Sequence, residues 1–249
     1  MESQQERGLG ERFAVVTGGT RGIGKSVAMG LARDGVQVLV VGRHEDRVQT
    51  MLAEAHSEGL AMTGLATDLA QPTAVAALRA ATQDWPHVDI LVASAAVMSA
   101  PASKLVHTSA EHWREILAVN LDGVFHTFTA FVPHMVQRRQ GVVVALSACL
   151  GRMSGPGTAG GLAPYRVSKA AVNALVRNTA AEVGGGRRGV YVDAVCPGHC
   201  RTDMGGPQAP RSAEEGADTV LWLCGRGSAG ASPELATGRL WEDRALVDW

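Results

Sequence analysis

The sequence predicts a doubly wound α/β domain, a parallel sheet of about seven strands with helices on both faces, and three observations carry that prediction. Apolar, β-branched runs alternate with amphipathic stretches along the whole 249-residue chain. The runs are continuous rather than alternating, the pattern of strands covered on both faces. The first ends at Val15-Val16-Thr17 and breaks into Gly18-Gly19-Thr20-Arg21-Gly22-Ile23-Gly24, after which Val27, Ala28, Leu31 and Ala32 repeat at helical spacing.

The remaining elements follow in turn. Val36 to Val41 reads as a second strand and Asp46 to His56 as a helix. Leu60 to Leu69 contains a short strand ending near Asp68, and Pro72 opens a helical segment to Asp84 at a first-turn position that tolerates proline. Val88 to Ala93 is a strand, Ala110 to Arg138 has helical periodicity, and Val142 to Leu146 is a fifth strand. Tyr165 to Val183 is helical and stops at Gly184-Gly185-Gly186. Val190 to Val195 (strand), Ala213 to Leu223 (helix) and Gly238 to Trp241 (a short last strand) complete the chain. Right-handed crossovers make such a sheet parallel. No repeat, linker or charge block marks a second domain, so 11–249 reads as one domain behind a flexible start, Met1 to Gly10.

Composition narrows function by exclusion. A formal charge of −1 gives no basic bias toward nucleic acid or anionic membrane. No apolar stretch reaches the roughly 18 residues a bilayer span needs, and the polar N-terminus lacks a signal-peptide core, so a cytoplasmic protein is expected. Of Cys149, Cys196, Cys200 and Cys224, only Cys196 and Cys200 are close in sequence, and no second pair supplies metal-ligand spacing. No metal and reduced thiols are expected.

Strand, glycine turn and helix in that order are what a dinucleotide-phosphate loop requires, which makes the predicted sheet Rossmann-type. Gly18 lets the chain turn, Gly22 lets backbone approach a pyrophosphate, and Gly24 lets the helix sit close on the sheet. The helix N-terminus offers unpaired N–H groups to the phosphates. After the second strand stands Gly42-Arg43, with no acid before Glu45, where a carboxylate would bind the adenosine ribose of NAD(H). Arg21 inside the loop, with Lys25 behind it, adds cationic charge. Guanidinium groups fork onto phosphate, so Arg21 and Arg43 point to NADP(H); two surface arginines without a ligand are the plain alternative.

Tyr165 and Lys169 are four residues apart and share one helix face. A phenol titrates near pH 10; an ammonium one turn away, helped by the positive nicotinamide of an oxidised cofactor, would favour the phenolate. Tyrosine can then protonate a carbonyl oxygen as hydride arrives, and lysine can hold the nicotinamide ribose. The same spacing also suits a packed aromatic beside a solvated lysine.

Thr17 through Gly24, Asp68, Asn120, Tyr165 with Lys169, and Pro197-Gly198 followed by Thr202 occur in an order that resembles the short-chain dehydrogenases/reductases over nearly the whole chain. The resemblance implies that Thr20, Ile23, Leu69 and Ala95 line the cofactor site beside Gly18, Arg21, Gly22, Gly24 and Arg43. It places Asp68 beside the adenine, although an ordinary cap or turn residue reads as well. It implies that Asn120 supports a proton-relay water through a helix distortion, and that Pro197, Gly198 and Thr202 line the nicotinamide side. The stretch Thr202-Asp203-Met204 through Thr219 is similar to carbonyl-reductase-like members.

Two departures stand out. Ala93-Ser94-Ala95-Ala96 replaces the family's Asn-Asn-Ala-Gly, removing polar groups that brace the sheet. The catalytic serine, three residues before a glycine, becomes Ala148 before Gly151, with Ser147 one place early. Neighbours on a strand face opposite ways, so Ser147 serves only if the strand end is irregular. A lost oxygen donor costs roughly 2.7–4 kcal/mol of transition-state stabilisation. A local shift presenting Ser147, a donor from elsewhere, or loss of redox chemistry all remain open.

Gly151 to Pro164 and Met98 to His107 are expected to flank the substrate mouth beyond the strand ends. Met98, Ala148, Met153 and His199 are the candidate pocket residues, and the apolar character of these loops suits a hydrophobic or aromatic ketone, such as a polyketide intermediate of secondary metabolism. His107, His112 and His199 are candidate proton carriers, or simply satisfied histidines. The sequence thus reads as an NADPH-dependent ketoreductase; the alternative is an NADP(H)-binding isomerase, cyclase or sensor that does no net redox. The resemblance implies a homodimer or homotetramer built on the two long helices. Trp241 and Trp249 suit either core or interface.

Overall fold

A computed structural model describes residues 12–99, 104–226 and 236–249. The expected flexible start and residues 100–103 of the Met98-to-His107 loop lie outside the described residues. The first half runs β1 (Phe13–Thr17), α1 (Gly22–Arg33), β2 (Gln37–Gly42), α2 (Glu45–Ser57), β3 (Met62–Ala66), α3 (Ala74–Ala81) and β4 (Ile90–Ala93). The second half runs α4 (Ala110–Leu117), α5 (Gly123–Arg138), β5 (Gly141–Leu146), α6 (Ala163–Glu182), β6 (Val190–Val195), α7 (Ala213–Cys224), β7 (Leu240–Glu242) and β8 (Ala245–Val247). The strands lie in the order β3-β2-β1-β4-β5-β6-β7-β8. All neighbours pair in parallel except β7 with β8.

Successive residues on each strand serve opposite layers, and both are apolar. Val16, Val38 and Val144 pack with Val27 and Leu31 of α1, Met51 of α2, and Val220 and Leu223 of α7. Val15, Leu39 and Val143 pack on the other face with Leu78 of α3, Phe128 and Phe131 of α5, and Val172 and Val176 of α6. Each such side chain contributes roughly 1.5–3 kcal/mol when fully buried, which is why the strands read as unbroken apolar runs.

Several expectations need correction. The sheet has eight strands, because β8 turns back through Asp243 and Arg244, both in left-handed backbone conformations (φ 50° and 60°). Pro72 precedes its helix instead of opening it, and β3 ends at Ala66, short of Asp68. The Ala110–Arg138 run is helical throughout but contains a π turn at Ala118–Asp122. Its length and mean hydropathy of 1.3 would suit a bilayer span, against the expectation that no stretch would, yet 56% of that window is buried. Phe131 and Met135 pack on the sheet, which makes it a core helix. Trp241 belongs to the core, edge-on to Trp222 at 5.2 Å, and Trp249 packs against the layer that α5 and α6 cover.

Candidate active site

The carboxyl ends of the central strands open onto one cavity of about 550 Å³. It runs from Arg43 past Gly18 and Gly22 to Tyr165, Ala148 and His199. Its position at the reversal of strand order on either side of β1 is where open α/β sheets bind ligands.

At the phosphate end the glycines are fixed by contact. Gly18 has φ +65°, and a Cβ there would stand 2.7 Å from the Ala95 Cα. A Cβ on Gly24 would lie 2.3 Å from the Gly18 carbonyl oxygen. Gly22 opens α1 at φ +52°, and a Cβ on it would meet the Thr202 methyl at 3.0 Å. No side chain caps α1, so its first N–H groups are left for a ligand. Thr20, Ile23, Leu69 and Ala95 line the same cavity, as do Asp68, Pro197, Gly198 and Thr202. Asp68 also accepts the Ala70 N–H through Oδ1 at 3.1 Å, so it is a turn cap as well as part of the wall.

The cations are arranged differently from the sequence reading. Lys25 turns away to Glu54 of α2 (2.6 Å), and Arg21 pairs with the exposed Asp203. Arg43 lines the cavity with Nε 3.4 Å from the His44 ring. Arg47, in the first turn of α2, joins it there; the sequence signal was a second arginine four residues on. The missing sheet brace is replaced locally. The Thr17 hydroxyl accepts the Ser94 N–H at 3.2 Å and lies 3.4 Å from the Val92 carbonyl oxygen, tying β1 to the end of β4.

At the other end, α6 brings Tyr165 and Lys169 to the cavity wall, both buried. Ser99 accepts the Tyr165 N–H (3.1 Å), and the Ser168 hydroxyl donates to the Tyr165 carbonyl (2.7 Å). Asn120, in the π turn, donates to Ser168 (3.0 Å) and exchanges two hydrogen bonds with the Val97 backbone. Its side chain is therefore a strut between the β4 loop and the tyrosine helix. Ser99 was missed because nothing in sequence spacing links it to Tyr165.

Burial pushes the Tyr165 phenol well above its ordinary range in the chain without cofactor. Burial also lowers Lys169 to about 8. Its Nζ donates to the Leu146 carbonyl at 2.8 Å and stands 5.7 Å from the Tyr165 ring centre.

The strand end is regular. The Ser147 N–H continues the ladder to the Val195 carbonyl (2.8 Å), and Ala148 stays extended (φ −160°, ψ 152°). The Ser147 hydroxyl donates to Asn173 Oδ1, whose amide is oriented by its own bond to the Gly151 carbonyl at 3.3 Å. Ser147 thus has no proton to offer into the cavity, and Ala148 presents a methyl group there. Met98 and His199 line the cavity, with His199 Nε2 held 2.8 Å from the Gly205 carbonyl. Met153 does not: it is 77% exposed. His107 is exposed, and His112 pairs with Glu115 at 3.6 Å, so neither reaches the cavity. Among the described residues no cluster of three or more His, Cys, Asp or Glu side chains could hold a metal ion.

A glycine turn opening an uncapped helix and a Tyr–Lys pair share one cavity, the arrangement expected of a nicotinamide-dinucleotide oxidoreductase. The chain belongs to the short chain dehydrogenase family, whose model matches residues 12–213, and it acts on CH–OH or C=O groups as that family does. It is 31% identical to gluconate 5-dehydrogenase of Gluconobacter oxydans over 87% of this chain and 80% of that one. It is 35% identical to the glycine betaine reductase ATRR of Emericella nidulans over 79% of this chain, spanning only 15% of that longer protein. A crystal structure of an actinorhodin polyketide ketoreductase variant with NADPH superposes with TM-score 0.80 at 26% identity, covering 94% of this chain and 95% of that one.

Proposed function

We propose that the protein is an NADPH-dependent ketoreductase acting on a hydrophobic or aromatic ketone, with polyketide-type intermediates among the candidates. The observation that carries the reading is the buried Tyr165–Lys169 pair on the same cavity as Arg43 and Arg47. A phenol in this position can protonate a carbonyl oxygen as hydride arrives, and Lys169 with a bound oxidised nicotinamide would bring its pKa down toward working pH. The cradle fits the cofactor, because Gly18, Gly22 and Gly24 line the cavity where α1 begins with no side chain capping its first N–H groups.

NADPH, when bound, supplies the hydride. Arg43 and Arg47 bind the ribose phosphate, and the α1 N-terminus binds the pyrophosphate. Tyr165 donates its proton to the substrate oxygen. Lys169, anchored by Leu146, keeps two N–H donors for the ribose hydroxyls and for replacing the Tyr165 proton. Asn120 holds the π turn, where the α-helical bonding is interrupted and a backbone carbonyl is freed for a relay water. The resemblance to an NADPH-bound polyketide ketoreductase supports both cofactor and substrate class. A cytoplasmic dimer or tetramer fits this reading, since Phe125 of α5 and Val167 of α6 expose apolar surface that pairing through these helices would cover.

The test is NADPH absorbance over a panel of aromatic and aliphatic ketones, with Tyr165→Phe beside the wild type. Wild-type consumption with loss of turnover and retained NADPH binding in the variant supports the reading. Full turnover in the variant removes Tyr165 as the acid. The Ala148 methyl favours a second reading, a non-redox isomerase, cyclase or sensor, and substrate conversion with NADPH unspent would select it.

A further inference from the structure

One pair of thiols at the edge of the cavity is not used by this reaction. Cys149 opens a 3-10 turn (Cys149–Gly151) just beyond β5 and lines the cavity half-buried. Cys196 directly follows β6, the neighbouring strand, and is 1% exposed. Leu146 and Val195 are paired across the two strands, so Ser147 stands level with Cys196 and Cys149 two residues further on. That register brings the two thiols together at the strand ends, and each is the foremost influence on the other's titration. Cys196 also reaches Glu242 Oε1 at 3.5 Å. Arg152, 3.9 Å from Glu242, keeps its Nε buried and without a hydrogen-bond partner.

The fold therefore makes a different pair from the one sequence proximity suggested. Cys200 turns its sulfur to the Pro197 carbonyl at 3.2 Å, leaving Cys196 to Cys149. The thiolate is the reactive form of cysteine, and cationic, partly exposed surroundings favour it. The Cys196 thiol and the Arg152 charge both favour the Cys149 thiolate. Cys196, Cys200 and Cys224 are all shifted the other way, with burial among the causes in each.

We infer that Cys149 and Cys196 form a peroxide-oxidisable dithiol, a modification site where a reversible disulfide closes across the ends of β5 and β6. The Cys149 thiolate attacks one peroxide oxygen; the S–O bond forms, the O–O bond breaks, and hydroxide leaves as water after taking a proton. Cys196 then attacks the sulfenic sulfur; the S–S bond forms, the S–O bond breaks, and a second water departs. The sulfurs together give up two electrons, and hydrogen peroxide accepts them. The link also touches the active site. Gly151, at the end of the same turn, packs so closely on α6 that a Cβ there would stand 2.7 Å from Lys169. Drawing Cys149 toward β6 shifts the wall on which Ala148 and Lys169 depend, so oxidation slows turnover several-fold and dithiothreitol restores it.

Thiols are counted without any substrate, so this inference stands or falls apart from the ketoreductase reading. The full chain is treated with hydrogen peroxide, remaining thiols are alkylated, and tryptic peptides are read by mass spectrometry. The expected product joins 140–152 to 189–201, is lighter by two hydrogens than their sum, and disappears with dithiothreitol. Because 189–201 also contains Cys200, variants assign the link: it persists in Cys200→Ser and is lost in Cys149→Ser and in Cys196→Ser. Two fully alkylated peptides from the wild type after peroxide would overturn the inference. So would Cys149 oxidised to sulfinic acid with no link, or a link that survives Cys196→Ser.

Discussion

Ala148 lines the cavity at the position where the family resemblance expects a hydroxyl, while the adjacent hydroxyl, on Ser147, is spent on Asn173. Because the strand end is regular, Ala148→Ser restores a donor at the working position and is expected to raise kcat/KM for ketone reduction. The ceiling is roughly 2.7–4 kcal/mol, the worth of one oxyanion donor; an unchanged value would mean that another group already fills the role. Ser147→Ala should leave the rate near wild type and cost about 1 kcal/mol of stability through the lost hydrogen bond, read in urea melts. A large fall in rate would return Ser147 to the site. Lys169 gives a pH prediction with a definite sign. Its folded pKa is about 8 against an ordinary 10.5. Between those values the unfolded chain holds a proton that the folded chain has released, so stability rises with pH. The rise totals about 3 kcal/mol for the chain without cofactor. Lys169→Met should abolish that slope, and parallel stability curves for variant and wild type would refute it.

At the scale of elements, the β1–turn–α1 unit was legible because its glycines are demanded by backbone contacts that any such loop must make. Gly24→Ala tests this: its Cβ would press on the Gly18 carbonyl at 2.3 Å, displacing α1 from the sheet. A loss of about 1–3 kcal/mol is expected, together with weaker NADPH binding by fluorescence titration; a variant that binds and melts like wild type would show that α1 has room to move. The Tyr165–Lys169 pairing was legible for a similar reason, since helical spacing alone puts both on one face. What escaped the sequence depends on partners far along the chain. Lys25 reads in sequence as added positive charge behind the loop, but folding brings Glu54 to it from 29 residues away. The π turn at Asn120 leaves the apolar periodicity of its helix unbroken, so only the resemblance pointed to a distortion. β8 has three residues and a turn of Asp243 and Arg244, without the glycine or asparagine that usually marks such a hairpin.

For the whole molecule, the sheet edge that carries β6, β7 and β8 is tied together by one buried ion pair. Arg226, just past α7, donates to Asp193 of β6 at 2.5 Å, and both are at most 3% exposed. Asp193 also accepts from the Arg239 N–H and the Trp241 indole, each at 3.1 Å. The guanidinium carbon lies 5.1 Å from the Trp241 ring centre and 5.7 Å from that of Tyr191, so the charge also rests on aromatic faces. Burial raises the Asp193 pKa even with these partners in place. Arg226→Met would strip the carboxylate of its countercharge inside an apolar layer, at a cost of about 3–5 kcal/mol. The penalty carries its own signature. Without Arg226 the Asp193 pKa climbs further, so at low pH the carboxyl takes up a proton and becomes a tolerable neutral group. The stability gap between wild type and variant, measured by urea unfolding, should therefore be wider near about pH 8 than near about pH 5. Equal gaps would show that the loss comes from the packing of the side chain against Trp222 and Trp241 rather than from its charge.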